Sequence, residues 1–296
     1  MEFDEGATVD LGGISDVRGG GLGGGGLVAG GGGIIGLIGT VLYLLVGGGG
    51  SGFSIPDPGV GGPAAPSGSS ELAGQSCQAG TGPNGKIDVF ATCAFNDAQS
   101  TWRKIFTDAG RQYTPTTLVL YTGQTSTGCG TGTSAAGPFY CPADQRVYLD
   151  LTFFEDLRRD LGAPGDFAQA YVIAHEVGHH VQNVLGTNDQ VAAATRKKPS
   201  RQNELSVRVE LQADCYSGVW ARVSERAGSI RLDEGDPEEA IRAAGQIGDD
   251  RLQRQAGQRV SPESFTHGSA EQRIRWLRRG LDNGDPAECD TFKGDI

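Results

Sequence analysis

The chain has 296 residues, a formal net charge of −11 and 49 glycines. A surface built for nucleic-acid phosphates needs clustered Lys and Arg, so the acidic balance excludes a nucleic-acid partner. The glycines occur in runs without a three-residue period, which excludes collagen. Because 25 of them lie in the first 70 residues, that region differs in composition from the rest, which is long enough to bury a hydrophobic core.

An uncharged stretch near the N-terminus predicts a membrane anchor. Leu27 to Val46 reads LVAGGGGIIGLIGTVLYLLV, and at about 1.5 Å per residue such a helix just crosses a bilayer core of about 30 Å. No convincing A-x-A cleavage site follows it, so an uncleaved span is favoured over a cleaved signal peptide. A buried or loop segment is the third interpretation, because the glycines weaken helix formation.

The charges on either side of this stretch predict its orientation. Arg18 is the only basic residue before it and Lys86 the first one after it, so the positive-inside rule places the N-terminus in the cytoplasm. We therefore expect a single-pass protein of the cell membrane. Its segments would be a Gly-rich cytoplasmic N-terminus at 1–26, the transmembrane anchor at 27–46, a flexible linker at 47–70 and an extracytoplasmic domain at 71–296.

All six cysteines follow the predicted span, and an even number in an exported domain indicates disulfide bonds. Reduced thiols in a cytosolic domain are the alternative, whereas a Cys-ligated zinc site is disfavoured because no C-x-x-C occurs. The sequence does not fix the connectivity. Short separations favour two local pairs and leave the third by subtraction: Cys77 with Cys93, Cys129 with Cys141, and Cys215 with Cys289.

Periodicity and turn residues predict the elements of the domain. In chain order they are a helix at 96–113, a strand at 117–121, a Gly-rich loop at 123–137, a strand at 146–153, a short helix at 153–161, a long helix at 167–185 with Asp166 as its N-cap, a basic loop at 196–201, and helices at 204–227, 237–253 and 269–281. The class is α+β, helix-rich, with a small sheet. We expect 146–153 to be a sheet edge that pairs with an extended peptide, an interior strand being the alternative.

The long helix carries the motif H-E-x-x-H at His175, Glu176 and His179. Four residues advance a helix by about 400°, so the two imidazoles lie on one face about 6 Å apart in height and can share one Zn²⁺. Glu176 is placed to accept a proton from a metal-bound water. A chance occurrence is disfavoured, because the preceding residues are apolar and a buried imidazole needs a partner.

A third metal ligand is expected from the helix at 204–227. Catalytic zinc commonly has two His and one Glu with water in the fourth position, and Glu210 supplies that Glu. Asp214, one turn further on, would accept the spare N–H of a ligating His and so fix its tautomer. Asp214 and Glu204 remain competing ligands, and a solvated acidic face is the structural alternative.

Two further histidines receive different interpretations. His180 lies about 100° round the helix from His179 and is expected to point away from the metal. His267 stands alone in a loop ahead of a helix. We treat it as a candidate catalytic residue that stabilises the oxyanion or binds the metal, with a capping or structural role as the alternative.

These residues resemble a known family. The segments H-E-V-G-H-H-V-Q at 175–182, G-P-F-Y-C-P at 137–142, G-A-P-G-D-F at 162–167, E-L-Q-A-D-C-Y at 210–216 and S-F-T-H-G at 264–268 are similar to those of the neutral zinc metallopeptidases of bacterial, membrane-anchored proteins. The resemblance runs from about Cys77 to Phe292 and implies a zincin-like metallopeptidase with Zn²⁺ as cofactor. Glu-x-x-x-Asp after H-E-x-x-H is similar to the gluzincin arrangement, although the interval here is longer.

The function that this sequence predicts is zinc-dependent hydrolysis of peptide bonds, with a peptide or protein as substrate. His175, His179 and Glu210 would hold the metal, and Glu176 would act as general base. The runner-up is a non-catalytic, zinc-stabilised scaffold in the cell envelope, which would need the three ligands but not Glu176. A zinc amidase acting on cell-wall peptides is a weaker third interpretation.

Overall fold

Eight α-helices and eight short strands are found in residues 1–18, 71–81 and 85–296, the part of the chain that the computed structural model describes. The helices are α1 (Ile87–Asp108), α2 (Phe153–Arg159), α3 (Asp166–Leu185), α4 (Thr187–Lys197), α5 (Gln202–Ala227), α6 (Asp236–Gln246), α7 (Asp249–Gln255) and α8 (Ala270–Asn283). The strands are β1 (Glu2–Phe3), β2 (Ile14–Asp16), β3 (Thr117–Tyr121), β4 (Gln124–Thr127), β5 (Gly130–Thr133), β6 (Phe139–Cys141), β7 (Arg146–Asp150) and β8 (Ile230–Arg231). The predicted α+β, helix-rich class is confirmed.

The main sheet has four strands in the order β2-β3-β7-β6. β2, β3 and β7 are parallel, and β6 runs antiparallel to β7. The prediction that the strand at 146–153 is a sheet edge is wrong: Val147 lies opposite Leu118 of β3 on one side and opposite Tyr140 of β6 on the other. Four of the five residues in each of β3 and β7 are buried, as expected for strands covered on both faces.

Residues 1–18 are part of the same folded unit as the domain that follows them. Phe3 of β1 lies opposite Ile230 of β8, and Ile14 of β2 lies opposite Leu118 in the main sheet. Composition alone predicts a separate N-terminal segment at 1–26, because two such short strands leave no local signal in a Gly-rich sequence. The domain therefore includes residues ahead of the boundary expected at residue 71.

The predicted anchor, Leu27 to Val46, and the linker at 47–70 lie outside the described residues. Within residues 1–18, 71–81 and 85–296, none of the helices combines the length and the apolar character that a membrane crossing requires.

The helices pack closely because small residues lie at their crossings. A Cβ atom on Gly280 of α8 would lie 2.0 Å from the carbonyl oxygen of Cys215 in α5, and one on Gly218 of α5 would lie 2.4 Å from that of Leu277. In the same way, a Cβ on Gly178 of α3 would approach Ala213 of α5 to 3.2 Å. These contacts hold α3, α5 and α8 side by side, so that residues from all three meet in the interior.

Three features of the elements differ from the predictions. The single helix expected at 237–253 is split into α6 and α7, because Gly248 has an extended backbone with ψ 139°. Gly248 also lies close to α8: a Cβ there would be 2.4 Å from the amide nitrogen of Ala270. Helix α4 was not predicted, and the loop expected at 123–137 contains the β4–β5 hairpin.

All three predicted disulfides are present, with Cα–Cα distances of 5.8, 5.8 and 5.6 Å, within the usual range. Cys129–Cys141 ties the β4–β5 turn to the end of β6. Cys215–Cys289 ties the C-terminal segment to α5. No cysteine among the described residues is free.

Candidate metal centre

Helix α3 carries the first part of the site. It begins after Gly165 and ends at Gly186, whose φ of 79° is the left-handed conformation that glycine adopts readily at a helix C-terminus. His175, Glu176 and His179 are all buried, with exposed fractions of 5%, 6% and 3%. The helix packs against α5, which brings a carboxylate opposite the two imidazoles.

The two imidazoles and that carboxylate converge on one point. Glu210 of α5 has Oε2 3.2 Å from Nε2 of His175 and Oε1 3.6 Å from Nε2 of His179. One ligand atom from each of the three side chains lies within 4.8 Å of the others, which is close enough for all three to hold a single ion. The geometry therefore brings together the three residues that the sequence proposed as ligands.

The chemistry of these donors suits Zn²⁺. Zinc takes imidazole nitrogen and carboxylate oxygen, and two His with one Glu is a donor set of catalytic sites. The described residues contain one further cluster of this kind, formed by Asp166, Asp236 and Glu239. That cluster has only oxygen donors, and the amino group of Met1 lies 2.8 Å from Asp166 and 3.0 Å from Asp236. It offers none of the nitrogen or sulfur donors that zinc favours.

Asp214 lies behind His175, on the side away from the convergence point. Its Oδ1 is 2.9 Å from Nδ1 of His175, at an angle outside that of a hydrogen bond. Arg273 of α8 binds both carboxylate oxygens of Asp214 at 2.8 Å, and the Tyr171 hydroxyl donates to Oδ1 at 2.6 Å. Asp214 therefore supports His175 from behind, and within the part of the chain that the structure describes Glu210 is the carboxylate in contact with both imidazoles.

Interactions between buried charged groups shift the pKa values of the residues in this site. Burial lowers the pKa of His175, but the carboxylates of Asp214 and Glu210 outweigh it and raise that pKa to about 10. Burial raises the pKa of Glu210, but the imidazoles of His179 and His175 hold it well below its ordinary range. Burial also raises the pKa of Asp214, which Arg273 and His175 lower to about 2. A divalent cation supplies the positive charge that Glu210 needs when both imidazoles are neutral.

Glu176 differs from the other carboxylates of the site. Burial raises its pKa above the ordinary value, and the imidazole charges only partly oppose this. The backbone N–H of Tyr140 in β6 also lowers the pKa of this carboxylate slightly, while its Oε2 has no hydrogen-bond partner among the described residues. A buried, unpaired carboxylate oxygen with a raised pKa is what a general base requires.

His267 is held in a loop between α7 and α8. Its Nδ1 lies 2.9 Å from Oδ1 of Asp249, whose Oδ2 accepts the backbone N–H groups of Thr266, His267 and Gly268 at 2.7–3.0 Å. Burial lowers the pKa of His267, but Asp249 and Glu210 outweigh it and raise that pKa. The ring is therefore fixed in place and electrostatically coupled to Glu210.

Two other predictions about the site can be compared with the structure. His180 points away from the metal centre, as expected, since its Nε2 donates to the Thr114 carbonyl at 2.6 Å and its Nδ1 contacts the Tyr140 hydroxyl at 3.1 Å. Glu204 lies outside the ligand cluster and pairs with Arg201 and Arg208 near the start of α5. It is no longer a competing ligand.

Four residues around the ligands were not identified from the sequence: Tyr171, Gln182, Asp249 and Arg273. Tyr171 and Gln182 lie four residues before His175 and three residues after His179, so helical spacing alone places each on the face of its histidine. Asp249 and Arg273 come from α7 and α8, and nothing local in the sequence links them to the motif.

Comparisons with known proteins identify the family of the chain. The family model described as Putative neutral zinc metallopeptidase matches residues 6–292. The uncharacterized protein YpfJ of Escherichia coli K12 is 52% identical over 204 residues, which are 69% of this chain and 70% of that protein. The uncharacterized protein Rv2575 of Mycobacterium tuberculosis is 39% identical over 225 residues, 73% of this chain and 74% of that protein. No solved structure matches the chain significantly.

Proposed function

The chain belongs to the neutral zinc metallopeptidase family, and on that premise we propose that it hydrolyses peptide bonds with Zn²⁺ held by His175, His179 and Glu210. The observation that carries the proposal is the convergence of these three donors beside Glu176, a buried carboxylate with one unpaired oxygen. A zinc ion bound there supplies Lewis-acid polarisation of the substrate carbonyl and a lowered pKa for water.

The residues of the chain perform the proton transfers. Glu176 accepts a proton from the attacking water through the oxygen that has no partner, and then delivers it to the leaving nitrogen. Its raised pKa favours both steps, since a base whose pKa lies nearer to the working pH also serves as an acid.

His267 acts on the carbonyl oxygen of the substrate in this mechanism. The carboxylate of Asp249 and the charge of Glu210 raise the pKa of His267 against the effect of burial, and three backbone N–H groups fix the position of Asp249. A donor fixed in this way stabilises the negative oxygen of the tetrahedral intermediate without reorganising during the reaction.

In the proposed mechanism the peptide substrate binds as an extended strand beside β6. Among the described residues β6 is one of the two edges of the main sheet, and the backbone N–H of its central residue, Tyr140, lies on the side of Glu176, whose pKa it lowers slightly. In an antiparallel strand the N–H and C=O of one residue point to the same side, so the Tyr140 carbonyl also faces the metal centre. An extended peptide added there by backbone hydrogen bonds would place its scissile bond beside Glu176.

Metal analysis and a peptide-library digest test the proposal. The purified protein is expected to carry one Zn²⁺ per chain and to cleave the library, to stop when the metal is chelated, and to recover when zinc is restored. Glu176→Gln should keep the zinc and lose about 10²–10⁴-fold in rate. Equal digestion by the variant would contradict the assignment of Glu176. Zinc binding without cleavage by either protein would favour the scaffold function instead.

We also propose that the domain is extracytoplasmic, because three disulfides persist in an oxidising compartment. Leu27 to Val46 remains the predicted membrane attachment. A single crossing between residues 18 and 71 would separate β1 and β2 from β8 and β3, their partners. We therefore place residues 1–18 on the same side as the domain, which revises the cytoplasmic N-terminus expected from the flanking charges.

Labelling of single introduced thiols in intact cells tests this location. Glu5 and Glu234 are both exposed, and no described cysteine is free. Glu5→Cys and Glu234→Cys should react equally with a membrane-impermeant maleimide. Protection of Glu5→Cys alone would restore the cytoplasmic N-terminus, and protection of both would place the domain inside the cell.

A further inference from the structure

Two buried glutamines connect His179 with the C-terminal segment of the chain. Nδ1 of His179 lies 2.9 Å from Oε1 of Gln182, and Nε2 of Gln182 donates to Oε1 of Gln212 at 3.1 Å and to the carbonyl of Val209 at 2.7 Å. Nε2 of Gln212 in turn donates to the carbonyl of Cys289 at 3.0 Å. The exposed fractions of Gln182 and Gln212 are 0% and 6%, so water does not compete for these bonds.

The backbone carbonyls at the far end give this chain of hydrogen bonds a direction. A carbonyl oxygen only accepts, so the contact with Cys289 orients the NH₂ group of Gln212 toward it and turns the Gln212 oxygen toward Gln182. The NH₂ group of Gln182 then faces Gln212 and the second carbonyl, that of Val209. The oxygen of Gln182 is left facing His179, and it only accepts.

The direction decides which ring nitrogen of His179 carries a proton. Nδ1 has to donate to Gln182, so in the neutral imidazole Nε2 keeps its lone pair. Nε2 is also the nitrogen that faces Glu210, at 3.6 Å. Without the glutamines, the neutral ring could carry its one proton on Nε2 instead, where that proton would face the Glu210 carboxylate, and a nitrogen that carries a proton does not bind a metal.

We propose that Gln182 and Gln212 are positioning residues for zinc: they fix the tautomer of His179 and hold its Nε2 ready for the metal. The Cys215–Cys289 disulfide anchors the arrangement, since it holds the carbonyl of Cys289 beside α5. The inference rests on the zinc site proposed above and adds residues to it. Outer partners of metal-bound histidines typically change metal affinity by about 10–100-fold.

Zinc affinity, measured by competition with a chelator, tests the role of Gln182. Gln182→Ala should weaken zinc binding by about 10–100-fold, because Nδ1 loses its acceptor. The zinc affinity of Gln182→Glu should stay within about threefold of that of the wild type, because the glutamate carboxylate still accepts a hydrogen bond from Nδ1 of His179. If Gln182 were merely structural, Gln182→Glu would lower zinc affinity more than Gln182→Ala, because a buried glutamate carries a charge and lacks the two N–H donors of the amide. Gln190→Ala, at an exposed position on α4, is the matched control.

Gln212→Ala should weaken zinc binding less than Gln182→Ala does, because Val209 still orients the Gln182 amide. This variant also keeps the test decisive if Gln182→Ala does not fold. The inference is overturned if a folded Gln182→Ala protein binds zinc as tightly as the control does, or if Gln182→Glu loses as much affinity as Gln182→Ala.

Long-range ¹⁵N–¹H correlation of the histidine rings in the metal-free protein reads the tautomer directly. The chain has only four histidines, and the signals should place the His179 proton on Nδ1 and the His180 proton on Nε2. A proton on Nε2 of His179 in the neutral ring would overturn the inference. Because this measurement needs no metal, it decides the role of the glutamines even if the wild-type protein proves not to bind zinc, an outcome that would refute only the proposed function.

Discussion

The two histidines of the metal centre are supported in opposite ways. His175 lies against a buried ion pair, in which Asp214 is bound twice by Arg273 and once by Tyr171. Among the described residues, neutral groups support His179: two glutamine amides that end on backbone carbonyls. Both supports lie on the Nδ1 side of their imidazole, by a charge contact at His175 and a hydrogen bond at His179, and Nε2 of each ring faces Glu210.

The difference shows two ways of solving one problem, which is to fix a metal-binding imidazole in an apolar interior. A carboxylate strengthens the donor power of the ring, but it brings a charge that has to be compensated in the interior. An amide brings no charge, but it is effective only when its orientation is fixed from outside. Breaking the charged support beside His175 should therefore cost more folding free energy than breaking the neutral one beside His179, and its contribution to stability should depend more strongly on pH.

The largest effect is expected from Arg273→Met. The substitution leaves Asp214 as an uncompensated buried charge, and losing one partner of a buried pair costs about 3–5 kcal/mol of folding free energy. Urea denaturation of the metal-free protein measures this. Arg278→Met, at an exposed position on the same helix, is the control. A loss below about 1 kcal/mol would show that the ion pair is not the stabilising part of this support.

The charged support should also make stability depend on pH. The pKa of Asp214 is lowered from 3.8 to about 2 in the folded protein, so its contribution is fully present above about pH 4 and is lost as the pH falls toward 2. The shift corresponds to roughly 2 kcal/mol. The free energy of unfolding of the wild type should fall over this window more steeply than that of Asp214→Asn. Parallel curves would contradict the assignment.

Breaking the neutral support beside His179 should cost less folding free energy. Gln182→Leu leaves the His179 N–H and the Gln212 oxygen without partners, and an unsatisfied buried polar group costs about 1–3 kcal/mol. No dependence on acidic pH should accompany the loss, because no carboxylate takes part. The comparison of the two supports fails if Gln182→Leu costs as much folding free energy as Arg273→Met does.

The smallest effect on the metal is expected at His180, which follows His179 in the sequence but bonds to Thr114 and Tyr140 instead. His180→Gln should leave zinc affinity unchanged within about twofold and lower stability by about 1 kcal/mol, the usual contribution of a hydrogen bond. A tenfold loss of zinc affinity, measured by chelator competition, would show that His180 supports the site after all.

The sequence could predict the features that depend on local spacing. The helical turn between His175 and His179 follows from their separation, and the disulfides Cys77–Cys93 and Cys129–Cys141 follow from short loops. Gly186 and Gly228 mark the ends of α3 and α5, since both take the left-handed conformation. Glu210 could be proposed because one donor type was still missing.

Other features could not be read in this way, because they depend on which elements become neighbours. Arg273 reaches Asp214 across 59 residues of sequence, only because glycines let α5 and α8 approach closely. The pairing of β7 on both sides depends on β6 returning antiparallel. The pairing of β1 and β2 with strands more than 100 residues away has no local signal in a Gly-rich segment.

The sequence by itself determined the class of fold and singled out the residues that we propose as metal ligands and general base, because each depends on residue types at helical or loop spacing. Only the tertiary structure decided how the ligands are supported. Arg273 compensates the charge of Asp214, and Asp249 holds His267. The carbonyls of Val209 and Cys289 orient the glutamine amides. These groups follow the H-E-x-x-H motif in the sequence and come to lie beside it only in the folded protein. Their effect rests on burial, which strengthens every hydrogen bond and charge contact and which no local pattern reveals.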